Sequence, residues 1–120
     1  MEYNIIELGN KRILECLPDG GIISCENDTL DLVGLCGGEQ TEIVLLYHTN
    51  LHPDFYDLKT GLAGKVMLKL TNYQIRLAAV IPAKLVGTGR FYEMVIETNR
   101  RNDFRVYSTR DEALQWIGKL

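Results

Sequence analysis

No two cysteines in this chain stand in a C-x-x-C spacing. Cys16, Cys25 and Cys36 are an odd number and widely spread, so neither a zinc knuckle nor a dithiol redox motif is encoded. All three are expected to be reduced and buried, because a free thiol behaves mainly as a small hydrophobe. Long apolar runs are also missing: nothing approaches the roughly 18–20 unbroken apolar residues of a membrane span. The opening MEYNIIELGNKR has no basic region ahead of a long apolar segment, so it reads as the start of a folded domain rather than a signal peptide. A cytoplasmic protein with no membrane contact is the expectation. Positive charge is in short supply as well. Thirteen Lys and Arg against 16 Asp and Glu leave a net charge of -3, whereas nucleic-acid binding needs a basic face. No nucleic acid is expected as a partner. GxSxG, a readable Cys-His pair and a converging pair of carboxylates are all absent, so the chain is expected to be non-enzymatic, with no cofactor.

What is present is ordinary globular material. The 120 residues are 46% apolar and 24% charged, enough for one domain (1–120) with its own core. Tyr3–Leu8 and Arg12–Leu17 read as a hairpin around Gly9-Asn10. Ser24 or Asn27 caps a short helix to about Cys36, which Gly37-Gly38 ends. EIVLLYH (Glu42–His48) and IRLAAVI (Ile75–Ile81) have the continuous apolar centres of strands buried on both faces. Leu58, Leu62, Ala63, Val66, Met67 and Leu70 trace one stripe of a helix beginning near Asp57. Ala83–Gly89 is a loop, followed by a helix through Phe91, Met94, Val95 and Thr98 that ends near Asn99. Phe104–Tyr107 is the last strand. Thr109 caps the final helix in a capping box with Glu112, and Trp116 covers an edge. The predicted order is β-β-α-β-α-β-α-β-α: an α/β fold with a mostly parallel, mixed sheet and right-handed crossovers.

The stretch DLKTGLAG, residues 57–64, carries the strongest functional signal. Asp57 or Thr60 can accept from the free N–H groups of a helix N-terminus. Gly61 and Gly64 would lie together on one side of that helix. Each costs about 1 kcal/mol against alanine, which close approach of another backbone would offset. The same residues also suit a switch. A phosphate on Thr60 would be held by free amides and by Lys59, beside a smooth glycine face open to a partner protein. Asp57, Lys59, Thr60, Gly61 and Gly64 are therefore partner-binding candidates, and Thr60 is the phosphoacceptor candidate.

Other signals are thinner. Tyr47, His48, His52 and Asp54 can gather at the C-terminal end of the third strand, where open α/β sheets bind ligands. The two histidines are four apart, but Pro53 and the polar residues between them place them at a strand end and in a loop, so no metal site is inferred. Arg90 follows GTG without the full spacing of a phosphate loop. It joins Tyr47, His48 and His52 as a ligand-pocket candidate, with a surface arginine as the plain alternative. Arg100-Arg101 sits at a helix C-terminus, where the dipole favours cations.

EIVLLYH, the block DLKTGLAGKVMLKL with IRLAAVI behind it, and the tail FRVYSTRDEALQWI together resemble the anti-sigma-factor antagonist (STAS) domain. In that family a D-S-[ST]-G-L block opens a helix, and a partner kinase phosphorylates the hydroxyl residue before the glycine. Thr60-Gly61-Leu62 matches its [ST]-G-L part, whereas Leu58 and Lys59 stand where the family has Asp and Ser. FYDLKTGLAG and NYQIRLA are similar in more detail to an uncharacterised bacterial family of unknown function, of the DUF4180 type, which carries F-x-DLKTG-x-AG and implies no activity. The resemblance to the first family implies a STAS-like fold and a regulatory protein–protein interaction domain, switched at Thr60, with an unidentified protein partner. A small-ligand sensor using the third-strand end and the 83–90 loop is the alternative. A homodimer through a sheet edge or the glycine face stays open.

Overall fold

In the computed structural model, which describes residues 1–120, the chain opens with the hairpin β1 (Tyr3–Leu8) and β2 (Lys11–Cys16). Gly9 takes φ +61°, the positive value a two-residue hairpin turn needs at its first central position. Helix α1 (Glu26–Glu39) follows, then β3 (Ile43–Tyr47) and three short 3-10 turns at His48–Asn50, Pro53–Tyr56 and Leu58–Thr60. The remainder is α2 (Leu62–Asn72), β4 (Arg76–Val80), α3 (Ala83–Val86), α4 (Arg90–Thr98), β5 (Phe104–Tyr107) and α5 (Arg110–Gly118). The sheet order is β1-β2-β3-β4-β5, antiparallel between β1 and β2 and parallel thereafter. The fold is thus α/β on a five-stranded mixed sheet. No helix is long and apolar enough to cross a membrane.

Alternation along the strands divides the core. Leu14, Cys16, Val44, Leu46, Leu77, Ala79, Phe104 and Val106 point to one face, where α1, α2 and α4 cover them. Ile13, Leu45, Ala78 and Val80 point to the other, under Ala113, Trp116 and Ile117 of α5. Three right-handed crossovers place three helices on one side, and α5 is left to cover the second.

The structure changes several of these expectations, and neither Ser24 nor Asn27 caps α1, whose N-cap is Cys25 without a side-chain bond. Helix α1 continues through Gly37-Gly38 and stops at Gln40, φ +57°. Thr41 N–H donates to Cys36 O and Gln40 N–H to Gly37 O, a Schellman motif with glutamine in the glycine position. Helix α2 begins at Leu62 rather than Asp57, because Gly61 turns the chain with φ +78°. The 83–89 segment contains the short helix α3. Cys16 and Cys36 are buried, but Cys25 precedes α1 and is exposed. Thr109 caps α5 as read, while the Glu112 carboxylate accepts from the Thr109 hydroxyl instead of reaching the backbone. Trp116 is buried beneath the Arg105 guanidinium, 5.2 Å from its ring centroid.

Candidate functional site

The segment between β3 and α2 is irregular, and Asn50 holds its first turn. Asn50 is fully buried. Its Oδ1 accepts from Tyr47 N–H at 2.9 Å, and its Nδ2 donates to Leu17 O at 2.8 Å and Gly21 O at 3.0 Å. The backbone of the same turn is tied down as well, because Ile23 N–H donates to Asn50 O and His52 N–H to Ile23 O. Next along the chain, Phe55 is fully buried. Its ring packs against Tyr56, Phe91 and Phe104 with centroids 5.9–6.2 Å apart. Edge-to-face and tilted aromatic pairs of this kind fix orientation as well as bury area. The turn carrying Pro53–Tyr56 is thereby fastened to α4 and β5.

DLKTG leaves this anchor as an exposed, hydrogen-bonded turn. Asp57 Oδ1 accepts from Lys59 N–H at 3.1 Å. The Thr60 hydroxyl lies 2.6 Å from Asp54 O and 2.8 Å from Asp57 O, either of which can take its proton, and it accepts from Leu62 N–H at 3.3 Å. Thr60 thus ties the start of α2 back onto the preceding turn, while its side chain remains on the surface. Gly61 and Gly64 do not share a helical face: the first is the left-handed turn and the second lies in the first turn of α2. A Cβ added to either would meet no atom within 4 Å. No backbone of this chain approaches them, so nothing inside the fold offsets the cost of Gly64.

Arg90, assigned from sequence to a different site, comes to this one. A cleft of about 230 Å³ is lined by Tyr56, Asp57, Leu58, Lys59, Arg90 and Phe91. It adjoins a more open one bounded by Leu58, Arg90, Glu93, Met94 and Glu97. Neither Lys59 nor Arg90 makes an ion pair. The cleft therefore presents two unpaired cations beside an apolar floor, with one carboxylate, Asp57, at its rim. Such a lining suits an acidic or phosphorylated group.

Tyr47, His48 and His52 do not join Arg90. None of them lines any of the five main clefts. His48 O accepts from the Tyr56 hydroxyl at 3.2 Å, and His52 Nδ1 accepts from Asp54 N–H at 3.0 Å. Tyr47 belongs instead to a cluster that sequence reading missed. Its hydroxyl donates to Glu15 at 2.5 Å, and Glu15 receives both Nε and Nη2 of Arg110 at 2.8 and 3.1 Å. Burial pushes the Tyr47 phenol up to about 12, and the neighbouring Glu15 carboxylate adds to the rise. Burial also raises the Glu15 carboxyl, but bonds from Arg110 and Tyr47 outweigh it and hold it below its ordinary value. Arg110 is raised in turn by that carboxylate. The cluster pins the start of α5 to β2. Glu15 and Arg110 lie 95 residues apart, a pairing that only the sheet order could have shown.

The buried thiols are chemically quiet: burial pushes Cys16 up to about 12 and Cys36 up to about 11, far from the thiolate range in which cysteines react. The model of a family described as a domain of unknown function (DUF4180) matches residues 8–117, and the chain belongs to that family. No curated protein and no solved structure matches it.

Proposed function

We propose that this member of the DUF4180 family is a non-enzymatic regulatory domain that binds a protein partner through Asp57–Gly64 and the adjoining Arg90. The observation that carries the reading is Gly64. It is exposed in the first turn of α2, and nothing outside its own turn comes within 4 Å of the Cβ position it leaves empty, as is also true of Gly34, Gly37 and Gly38 in α1. A helix glycine that accommodates no internal neighbour suits close approach from outside. Lys59 and Arg90, both unpaired in the cleft beside Asp57 and Leu58, favour a partner with acidic groups there. We read the architecture as STAS-like, on the mixed five-stranded sheet and on Thr60-Gly61-Leu62 at the start of α2. In this reading a phosphate on Thr60 releases the hydroxyl from Asp54 and Asp57, adds about two negative charges, and turns an acidic partner away.

The test is quantitative capture from the native host with wild-type, Gly64→Leu, Lys59→Glu and Thr60→Glu baits, each shown to be folded. One protein held by the wild type and lost from all three variants is the expected outcome. Equal capture by wild type and Gly64→Leu would remove this surface as the contact.

A second reading has its own observation. The connections after β4 and β5 leave toward opposite faces of the sheet, and crevices of that kind are where open α/β sheets take ligands. A cavity of about 210 Å³ lies there, lined mainly by Ile81, Val86, Tyr92, Val95, Val106 and Tyr107. It includes part of the 83–90 loop but not the β3 end. A small apolar ligand would appear in native mass spectra and raise the melting temperature on addition; Val95→Trp, which fills the cavity, would abolish both.

A further inference from the structure

The two edges of the sheet are finished differently. On β5, Leu77 N–H donates to Asp103 O and Ile81 N–H to Tyr107 O, so the alternate residue Val106 turns its backbone groups outward. Both are taken by one side chain: Asn99 Nδ2 donates to Val106 O at 2.9 Å, and Val106 N–H donates to Asn99 Oδ1 at 2.9 Å. The amide of Asn99 stands in for the next strand at Val106.

On β1 nothing does this. The two-residue turn makes Leu8 and Lys11 a hydrogen-bonded pair, so Leu8, Ile6 and Asn4 direct their backbone groups to β2. Tyr3, Ile5 and Glu7 direct theirs outward, and none of the three has a backbone partner outside the hairpin. The strand YNIIEL contains no lysine and no proline, and its register runs without a bulge. Those are the usual guards of an exposed edge. Its single charge is Glu7, and Ile5 and Ile6 remain half-buried.

We propose that β1 is the interface of a symmetric dimer, pairing antiparallel with β1 of a second copy to make one ten-stranded sheet. A two-fold axis normal to the sheet keeps each face continuous, so residues of like parity must pair. With the axis at Ile5, Ile5 opposes Ile5 of the second copy and Tyr3 opposes Glu7. Every outward N–H and C=O on the three residues is then matched, six hydrogen bonds in all. A shift of two residues strands an outward pair at each end. The segment is also self-complementary: isoleucine meets isoleucine at the centre, and a phenol lies beside a carboxylate at both ends. That is the condition for an isologous contact, and it selects a second copy over a foreign strand.

Sedimentation velocity on the full chain tests this. Glu7→Pro deletes one outward donor while sparing the β1–β2 ladder, since proline is tolerated on an edge strand. The wild type should sediment at twice 13.6 kDa and the variant at 13.6 kDa, with matching circular dichroism. As a second route, Ile5→Cys in a Cys25→Ser background should oxidise to a covalent dimer. Residues paired across the axis have Cα atoms about 5.5 Å apart, within disulfide reach. A wild type that stays monomeric at its highest soluble concentration overturns the proposal, as does a dimer that survives Glu7→Pro. Should Glu7→Pro unfold, failure of Ile5→Cys to cross-link overturns it.

Discussion

Replacing Gly61 with alanine would force a Cβ onto a backbone whose φ is +78°. Because the added atom would touch nothing within 4 Å, the whole cost is conformational, about 1–2 kcal/mol for a left-handed L-residue. The same replacement at Gly64 meets equally open space, but there the backbone is already helical. Alanine at that position restricts only the unfolded chain and should stabilise by about 0.4–1 kcal/mol. Urea unfolding separates the two. With a slope of about 1–3 kcal/mol/M, the Gly61→Ala midpoint should fall by roughly 0.5–1 M and that of Gly64→Ala should rise by a few tenths of 1 M. The double variant should lie near their sum, since neither new methyl group reaches a neighbour through which to couple. A Gly64→Ala protein that is less stable than wild type would refute the reasoning, for it would show that an internal contact needs the missing side chain. A Gly64→Ala protein that is more stable yet captures its partner less well would show stability given up for recognition.

Asn50→Ala would leave Tyr47 N–H and the carbonyls of Leu17 and Gly21 without their buried partner. At about 1–3 kcal/mol for a buried unsatisfied group, the expected loss is about 3–4 kcal/mol in thermal or urea unfolding; a loss below about 1 kcal/mol would show that water replaces the amide. The Glu15 carboxyl sits below its ordinary value of 4.5, so the stability it contributes is present above that value and is lost as pH falls through the lower folded one. Arg110→Gln should therefore flatten the acid limb of the stability profile below about pH 4.5, and an unchanged limb would mean the pair adds nothing.

Much of the fold was legible because strands and helices leave different periodicities. EIVLLYH and IRLAAVI have the short apolar runs that suit buried strands, and the hairpin was announced by Gly9-Asn10. The glycines mislead in both directions: Gly37-Gly38 stay helical and Gly61 makes the left-handed turn ahead of α2, whereas Gln40 and Gln74, at φ +57° and +59°, end α1 and α2. Local bonds from Thr41 N–H to Cys36 O and from Ile75 N–H to Leu70 O close those endings. At the site, DLKTG was visible as a segment, but its geometry was not. Three successive 3-10 turns have no hydrophobic period, and the anchor of the first is Asn50, a polar residue whose burial no pattern betrays. Arg90 and Lys59 lie 31 positions apart, so only the docking of α4 beside the turn could bring them to one cleft. The helix stripe drawn from Leu58 illustrates the same limit. Leu58 does pack against the core, but from a turn, where a helical offset to Leu62 is coincidence.

Strands adjacent in this sheet are also consecutive in the chain, which gives the order of assembly a direction. Each new strand can find its neighbour across one crossover, so closure entropy stays small and pairing can advance as the polypeptide is made. Helix α5 breaks that pattern, because Arg110 must return across 95 residues to Glu15. A nascent chain that has completed β5 already has helices over one face, while Ile13, Leu45 and Ala78 on the other still await their cover. Ribosomal pausing or truncation before residue 110 would release a molecule with one finished side and one adhesive side, the form most exposed to aggregation and chaperone capture.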